Sequence, residues 1–318
     1  MGTLRPIMLG IGGDSGTGKS TLVGGIYKLF GVEQITSINL DDYHTFDRAQ
    51  RKIYGLTALH PAANNIALMA KHAWQLRNGE TIMKPVYDHS TGTFGEPERV
   101  EPRPIVLING LFPFFTQELR EAFDLKVYLD PDPELKLAWK VQRDVGKRGY
   151  TVEQVLKELE ARQEDIRKYI EPQKEYADLI VRFYPPKGYA AHLDDTRLNV
   201  RLFLSQSLPK TDLDGLLREA VEARGALRLQ DEDYEGQPFH LLEIDGTISP
   251  QKAAGLEQKI WFHLLQPMRA IRDLAPEQFG GFAGDGEAHH SGSLALVQLI
   301  VIYYLFQARE VRLAASTP

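Results

Sequence analysis

Cysteine is absent from all 318 residues. That excludes disulfides, thiolate metal sites and thiol redox switches within this chain, and it suits a reducing compartment. Excess positive charge is also missing: 37 lysines and arginines face 43 aspartates and glutamates, for a formal net charge of −6. A chain of that sign has no general attraction for nucleic acid or an anionic membrane, so an anionic ligand must meet a local basic cluster. Long apolar runs are lacking too. The longest, Leu294 to Phe306, contains Gln298 and falls short of the roughly 20 residues a bilayer requires. Few residues precede the first apolar run, which leaves no room for a cleaved leader, and Pro6 stands where a myristoylation motif needs Ser or Thr. No internal repeat or low-complexity segment occurs. These absences predict a soluble, cytoplasmic protein with no membrane or nucleic-acid partner.

What is present is ordinary globular composition, 43% hydrophobic and 25% charged, long enough for one large α/β domain or a nucleotide-binding domain with a smaller addition. The informative stretch lies near the start. The apolar run Ile7-Met8-Leu9-Gly10-Ile11 reads as a buried strand, enters Gly13-x4-Gly18-Lys19-Ser20, and is followed by a helical segment. That is G-x-x-x-x-G-K-[ST] in its proper setting. Across Gly13, Ser15, Gly16, Thr17, Gly18, Lys19, Ser20 and Thr21, main-chain N–H groups can turn inward as an anion nest, with the positive end of the next helix aimed at it. Lys19 would reach the outer phosphates of ATP, and the Ser20 hydroxyl would hold Mg²⁺.

Strand and helix signals then alternate. Strands are expected at Gln34 to Leu40, Ile105 to Ile108, Leu125 to Leu129 and Leu179 to Phe183, and helices at Lys19 to Phe30, Asn64 to Asn78, Pro133 to Arg148 and Val152 to Tyr169. Lys84 to Gly92 reads as an extended arm closing in a turn. The pattern predicts an α/β fold with a doubly wound, mostly parallel sheet flanked by helices and ligands at the strands' carboxyl ends. Tyr184-Pro185-Pro186-Lys187-Gly188 marks a boundary, giving domains at 1–187 and 188–318. The second is read as a smaller α+β part, with strands at Val200 to Leu204 and His240 to Ile244 and helices at Gly255 to Asp273 and Ser291 to Glu310; Gly280 to Gly286 between them reads as a plain loop.

Phosphoryl transfer needs a carboxylate near the accepting hydroxyl. Asp41 stands at the end of the second strand, on the sheet edge where the glycine-rich loop opens, and could take the proton of an attacking alcohol. Asp42, one residue on, could hold Mg²⁺ through water. His44 and Arg48 follow within one loop and could bind a substrate phosphate. Lys136, Lys140, Arg143 and Lys147 recur at helical spacing along one stripe, with Asp144 and Arg148 beside it. Such a stripe is a solvated face or a set of cations folded over phosphates; Lys140, Arg143 and Arg148 are the ones favoured for chemistry.

Asp41-Asp42-Tyr43-His44 with Asp47-Arg48, then Gly55-Leu56-Thr57-Ala58-Leu59, Lys84 to Gly92, Ala138 to Asp144 and Pro172 to Asp178 resemble the phosphoribulokinases of the plant and cyanobacterial type, within the phosphoribulokinase/uridine kinase family of P-loop kinases. The resemblance runs from the P-loop to about Phe183 and more weakly beyond. It implies MgATP-dependent phosphorylation of the 1-hydroxyl of ribulose 5-phosphate in autotrophic carbon fixation, by a homodimer. It implies Asp41 as base, His44, Arg48 and Arg143 as clamps on the sugar phosphate, and active-site positions for Lys140, Asp144 and Arg148. It places Tyr87 and His89 on a substrate arm and Arg162 on a further phosphate-binding position.

Three departures stand out. Asn109 replaces a family glutamate that helps organise magnesium and the reacting groups. His60-Pro61-Ala62 replaces Asp-Pro-Arg, which leaves substrate identity open. Thr17 and Asn39 occupy the places of cysteines that give photosynthetic members their thiol switch. Two other readings therefore stand beside the first: a kinase for another sugar phosphate or a uridine-type nucleoside, and an ATP-binding paralogue with little catalysis.

Overall fold

The computed structural model describes residues 5–31, 33–188, 195–209, 227–262, 279–284 and 287–315. Among them the main sheet has eight strands, in the spatial order Ile35–Asn39, Ile105–Gly110, Ile7–Gly12, Leu125–Leu129, Leu179–Tyr184, Asn199–Ser205, Gln237–Ile244 and Leu227–Tyr234. The chain divides into two compact units, one of residues 1–19, 34–128 and 137–177, the other of 20–33, 129–136 and 178–318.

The first unit is built on β1 (Ile7–Gly12), all six of whose residues are buried. A run that apolar cannot present one face to water, and it becomes an inner parallel strand. It pairs in parallel with β5 (Ile105–Gly110), from Ile7 opposite Ile105 to Gly12 opposite Gly110, and with β6 (Leu125–Leu129). β2 (Ile35–Asn39) pairs in parallel on the far side of β5. Gly10 and Gly12 are required by packing: a Cβ there would lie 2.7 and 2.9 Å from the Phe114 ring. Parallel pairing brings the carboxyl ends of β1, β2 and β5 to one edge, which is where the candidate residues follow.

Helix α1 (Lys19–Phe30) leaves β1 through the glycine-rich loop. Helix α2 (Arg48–Ile53) is started by a capping box from Asp47 and Gln50. α3 (Ile66–Arg77) is capped by Asn65 and buries Met69, Ala70, Ala73 and Leu76. At its end Arg77 reaches Asp124, which also accepts from the Met8 amide at 2.7 Å. The predicted arm is a separate two-stranded sheet of β3 (Ile82–Asp88) and β4 (Thr93–Val100). α4 (Gln117–Glu121), α5 (Pro133–Arg148) and α6 (Val152–Asp165) follow. The last is shorter than the expected helix to Tyr169: it gives way to a π-turn at Ile166–Ile170. Buried Gln173 holds that turn, its amide donating to Tyr169 O and Leu111 O while its oxygen accepts from Phe114 N.

In the second unit β7 (Leu179–Tyr184), β8 (Asn199–Ser205), β10 (Gln237–Ile244) and β9 (Leu227–Tyr234) pair antiparallel in that spatial order. The sheet is thus mixed, parallel at its nucleotide-loop end. β9 carries Gln230, Asp231, Glu232 and Asp233 and is mostly exposed; an edge strand with so few apolar residues leaves little alternation to read. Helices α7 (Pro250–Ile260) and α8 (Gly292–Ala315) follow among the described residues; residues 263–273 of the expected helix lie outside them. The Gly280 to Gly286 stretch is not a plain loop: β11 (Gly281–Gly284) pairs with β12 (Glu287–His290). Two strands of four residues give too short a pattern to detect. The apolar run Leu294 to Phe306 is the buried body of α8, and none of the described helices is long and apolar enough to cross a membrane. Gln298 is fully buried there, its oxygen accepting from Gly280 N at 2.8 Å.

Candidate active site

The loop after β1 turns on Gly16 and Gly18, at φ +86° and +90°, a left-handed backbone that a side chain would strain. Asp14 stiffens it: its carboxylate accepts from Ser15 N at 2.6 Å and its carbonyl from the Thr17 hydroxyl at 2.9 Å. The Lys19 ammonium folds back to donate to the carbonyls of Gly13 and Asp14, both at 2.7 Å. Burial lowers the Lys19 pKa, while the carboxylates of Asp41 and Asp14 act in the opposite sense. Ser20 and Thr21 sit exposed on the first turn of α1.

β2 ends at Asn39, whose side chain accepts from Asp41 N at 3.1 Å and starts a single 3-10 turn, Leu40–Asp42. Thr17 and Asn39 thus serve as loop and turn supports. Asp41 Oδ1 is buried and makes no hydrogen bond among the described residues. Acidic oxygens are rarely left so, and this one lies within the field of the Lys19 ammonium. Asp42 takes a different place from the one expected. Its two oxygens accept from Lys84 Nζ at 2.5 Å and Tyr87 N at 3.2 Å, so that both are engaged by protein donors and fasten β3 to the turn. Lys84 is buried and also meets Glu98 at 3.0 Å.

His44 is buried with Nδ1 2.9 Å from Asn64 Oδ1. Burial, reinforced by the Arg51 guanidinium, depresses its pKa to about 4 despite Asp41. The ring is therefore neutral at pH 7. Tyr87 packs edge-on at 4.7 Å, and its hydroxyl accepts from Arg51 at 2.8 Å and donates to Gly92 O at 2.9 Å. His89 lies 5.0 Å from Tyr87, ring to ring. Arg48 is exposed and donates to the carbonyls of His89 at 2.5 Å and Ser90 at 3.5 Å, so its guanidinium stands at the tip of the arm.

On α5 the expected stripe divides. Asp144 is fully buried and receives Lys140 Nζ at 2.8 Å, Arg143 Nε at 2.8 Å and Arg148 Nη1 at 3.3 Å. Burial alone would raise this carboxyl's pKa, yet the hydrogen bonds and charges of Arg143 and Lys140 hold it at about 2. Arg143 Nη2 donates onward to Ser15 Oγ at 3.0 Å, joining the helix to the phosphate loop. Arg162 pairs with Glu158 and lies within the fields of Asp14 and Asp144. The side chain of Lys147 lies outside the described residues. The Asn109 amide donates to Ile38 O at 3.2 Å, binding β5 to β2 where a carboxylate would have been repelled. His60 Nδ1 accepts from Ala62 N at 3.2 Å.

Lys84, Arg51 and Asn64, which contact Asp42, Tyr87 and His44, carry no signal of their own in the sequence. Each acts through a partner distant in sequence, and of the three only Lys84 lies within the arm motif.

A phosphate loop between a buried strand and a helix, at the carboxyl edge of parallel strands, defines a P-loop nucleotide-binding protein. The chain belongs to the phosphoribulokinase/uridine kinase family, whose model matches residues 8–188. It is 48% identical over 183 residues to a phosphoribulokinase of Synechocystis sp., covering 58% of this chain and 55% of the relative. It is 37% identical over 224 residues to a chloroplastic phosphoribulokinase of Mesembryanthemum crystallinum, covering 65% of this chain and 56% of the relative. The chain therefore spans about half the length of the curated relatives it matches. The solved phosphoribulokinase from Rhodobacter spheroides matches with a TM-score of 0.58 at 16% identity, covering 84% of this chain and 98% of that one, a likeness of fold.

Proposed function

We propose that this chain is an ATP-dependent kinase that phosphorylates the 1-hydroxyl of ribulose 5-phosphate to give ribulose 1,5-bisphosphate, in the cytoplasm, as a homodimer serving autotrophic carbon fixation. The observation that carries the reading is the unpartnered Asp41 Oδ1, buried and within the field of Lys19. The loop from Gly13 to Thr21 would offer its main-chain amides to a triphosphate. Lys19 would exchange its two carbonyl acceptors for outer phosphate oxygens. The hydroxyl of Ser20 fits a Mg²⁺ ligand; the ion supplies charge neutralisation on the phosphates. Asp41 takes the hydroxyl proton as the new O–P bond forms and the bond to ADP breaks. Arg143, already on Ser15, faces the transferred charge, with Lys140 and Arg148 held beside it by Asp144 and Arg162 paired with Glu158. Arg48, Tyr87 and His89 of the arm hold the sugar phosphate. Kinase activity is assigned to residues 1–187, with 188–318 as an extension.

Asn109 favours a second reading, because an amide tied to Ile38 O supplies no charge where the family has a carboxylate: a nucleotide-binding relative with little turnover. A coupled ADP assay with ribulose 5-phosphate, ribose 5-phosphate and uridine side by side separates these. Robust ADP release with ribulose 5-phosphate alone supports the first; release with none of the three supports the second. Asn109→Glu should change a working enzyme little and a crippled one by 10- to 100-fold or more, since losing one charge-stabilising group costs about 10²–10³.

A further inference from the structure

His44 is held by its neighbours in a way that assigns its proton. The main chains of His44 and Asn64 form an isolated antiparallel bridge, with Thr45 N donating to Ala63 O at 2.9 Å and Asn65 N to Tyr43 O at 2.8 Å. The Asn64 amide nitrogen donates to two carbonyls, Ala58 O at 2.9 Å and His60 O at 3.0 Å. Both amide hydrogens are thereby used, and the end facing His44 Nδ1 at 2.9 Å is the oxygen. An amide oxygen only accepts, so Nδ1 must carry the proton. A neutral ring then has a bare lone pair at Nε2, and no described residue donates to that atom.

We propose that Asn64 locks His44 in the Nδ1–H tautomer, so that Nε2 accepts a hydrogen bond from a hydroxyl of the sugar rather than pairing with its phosphate. His44 thus recognises the polyol portion of the substrate, and Asn64 is a positioning residue. The inference rests on the kinase reading for its substrate but not for its tautomer.

The surroundings agree. Arg51 and His89 oppose a second positive charge on the ring, while Asp41 favours it; burial outweighs the carboxylate. Tyr87, packed edge-on at 4.7 Å, offers its hydroxyl to Gly92 and not to the imidazole. A neutral acceptor next to the proton-accepting Asp41 suits a hydroxyl-bearing carbon chain; the arginines are better placed for a dianion.

The test is long-range ¹H–¹⁵N NMR of histidine side chains in the full chain at pH 7, with the His44 signals assigned by their loss in His44→Gln. The expected spectrum has Nδ1 as a protonated nitrogen and Nε2 as a bare one; an Nε2–H ring or an imidazolium overturns the inference. Asn64→Leu should shift the ring toward Nε2–H. Kinetics give a second arm. His44→Gln keeps an oxygen acceptor, so its KM for ribulose 5-phosphate should rise only about three- to tenfold with KM for ATP unchanged. His44→Lys, which supplies a cation and no acceptor, should raise it further. The reverse order of the two overturns the hydroxyl role. If a variant does not fold, the wild-type spectrum still decides. Absence of turnover with ribulose 5-phosphate in the unmodified protein would overturn the kinase reading and leave the tautomer standing.

Discussion

Asp144 offers a quantitative test of how the basic helix is held. Its carboxylate is buried among Lys140, Arg143 and Arg148, and its pKa is depressed from 3.8 to about 2. Nearly two units of depression correspond to roughly 2–3 kcal/mol of stability at neutral pH. Asp144→Asn removes that and leaves the Lys140 ammonium, itself 1% exposed, without a counter-charge. Stripping one partner from a buried pair costs about 3–5 kcal/mol. The variant should lose about 3 kcal/mol, read as a fall of about 1 M in urea midpoint if the slope is near 3 kcal/mol per molar. Adding Lys140→Met should recover part of the loss, because the uncompensated charge goes with it. The folded pKa lies below the unfolded one, so the contribution is complete above about pH 4 and vanishes as pH falls toward 2. The wild type should therefore lose stability over that window and the variant should lose less. A loss under about 0.5 kcal/mol, the size of an ordinary surface change, would refute the idea that Asp144 organises this helix.

Asp41→Asn should lower turnover by about 10²–10⁴-fold while calorimetric ATP affinity stays within about twofold, because Lys19 and the loop amides are untouched; residual activity near wild type removes Asp41 as base. Lys84→Met should free the arm from Asp42 and raise KM for the sugar phosphate more than KM for ATP, measured in the same coupled assay. In Gly25→Ala the new Cβ would lie 1.8 Å from Gln298 Nε2. Thermal unfolding should show a loss of about 1–3 kcal/mol, with partial recovery on adding Gln298→Ala.

The phosphate loop was legible because its chemistry is contiguous: strand, glycines, lysine and helix arrive in one stretch. The place of Asp41 was legible from its position after a strand, since a parallel sheet sends such ends to one edge. The charge of His44 was not. It depends on Asn64 and Arg51, and on burial that no local pattern encodes. Asp42 looked like a metal ligand beside Asp41, and only the fold brings Lys84 to it. Helical spacing showed that Lys140 and Arg143 share a stripe, but spacing alone does not say whether a stripe faces water or wraps a buried carboxylate. The strands at Leu227–Tyr234 and Gly281–Gly284 escaped because one is polar on both faces and the other is four residues long.

The resting position of the Lys19 side chain has a thermodynamic corollary. Its ammonium already satisfies two backbone oxygens of its own loop, so ligand capture there is an exchange of partners rather than the filling of a void. Measured affinity would be a difference between two strong solvation states. A substitution that weakened the internal pairing, without touching any group that meets the ligand, would tighten binding by raising the starting free energy.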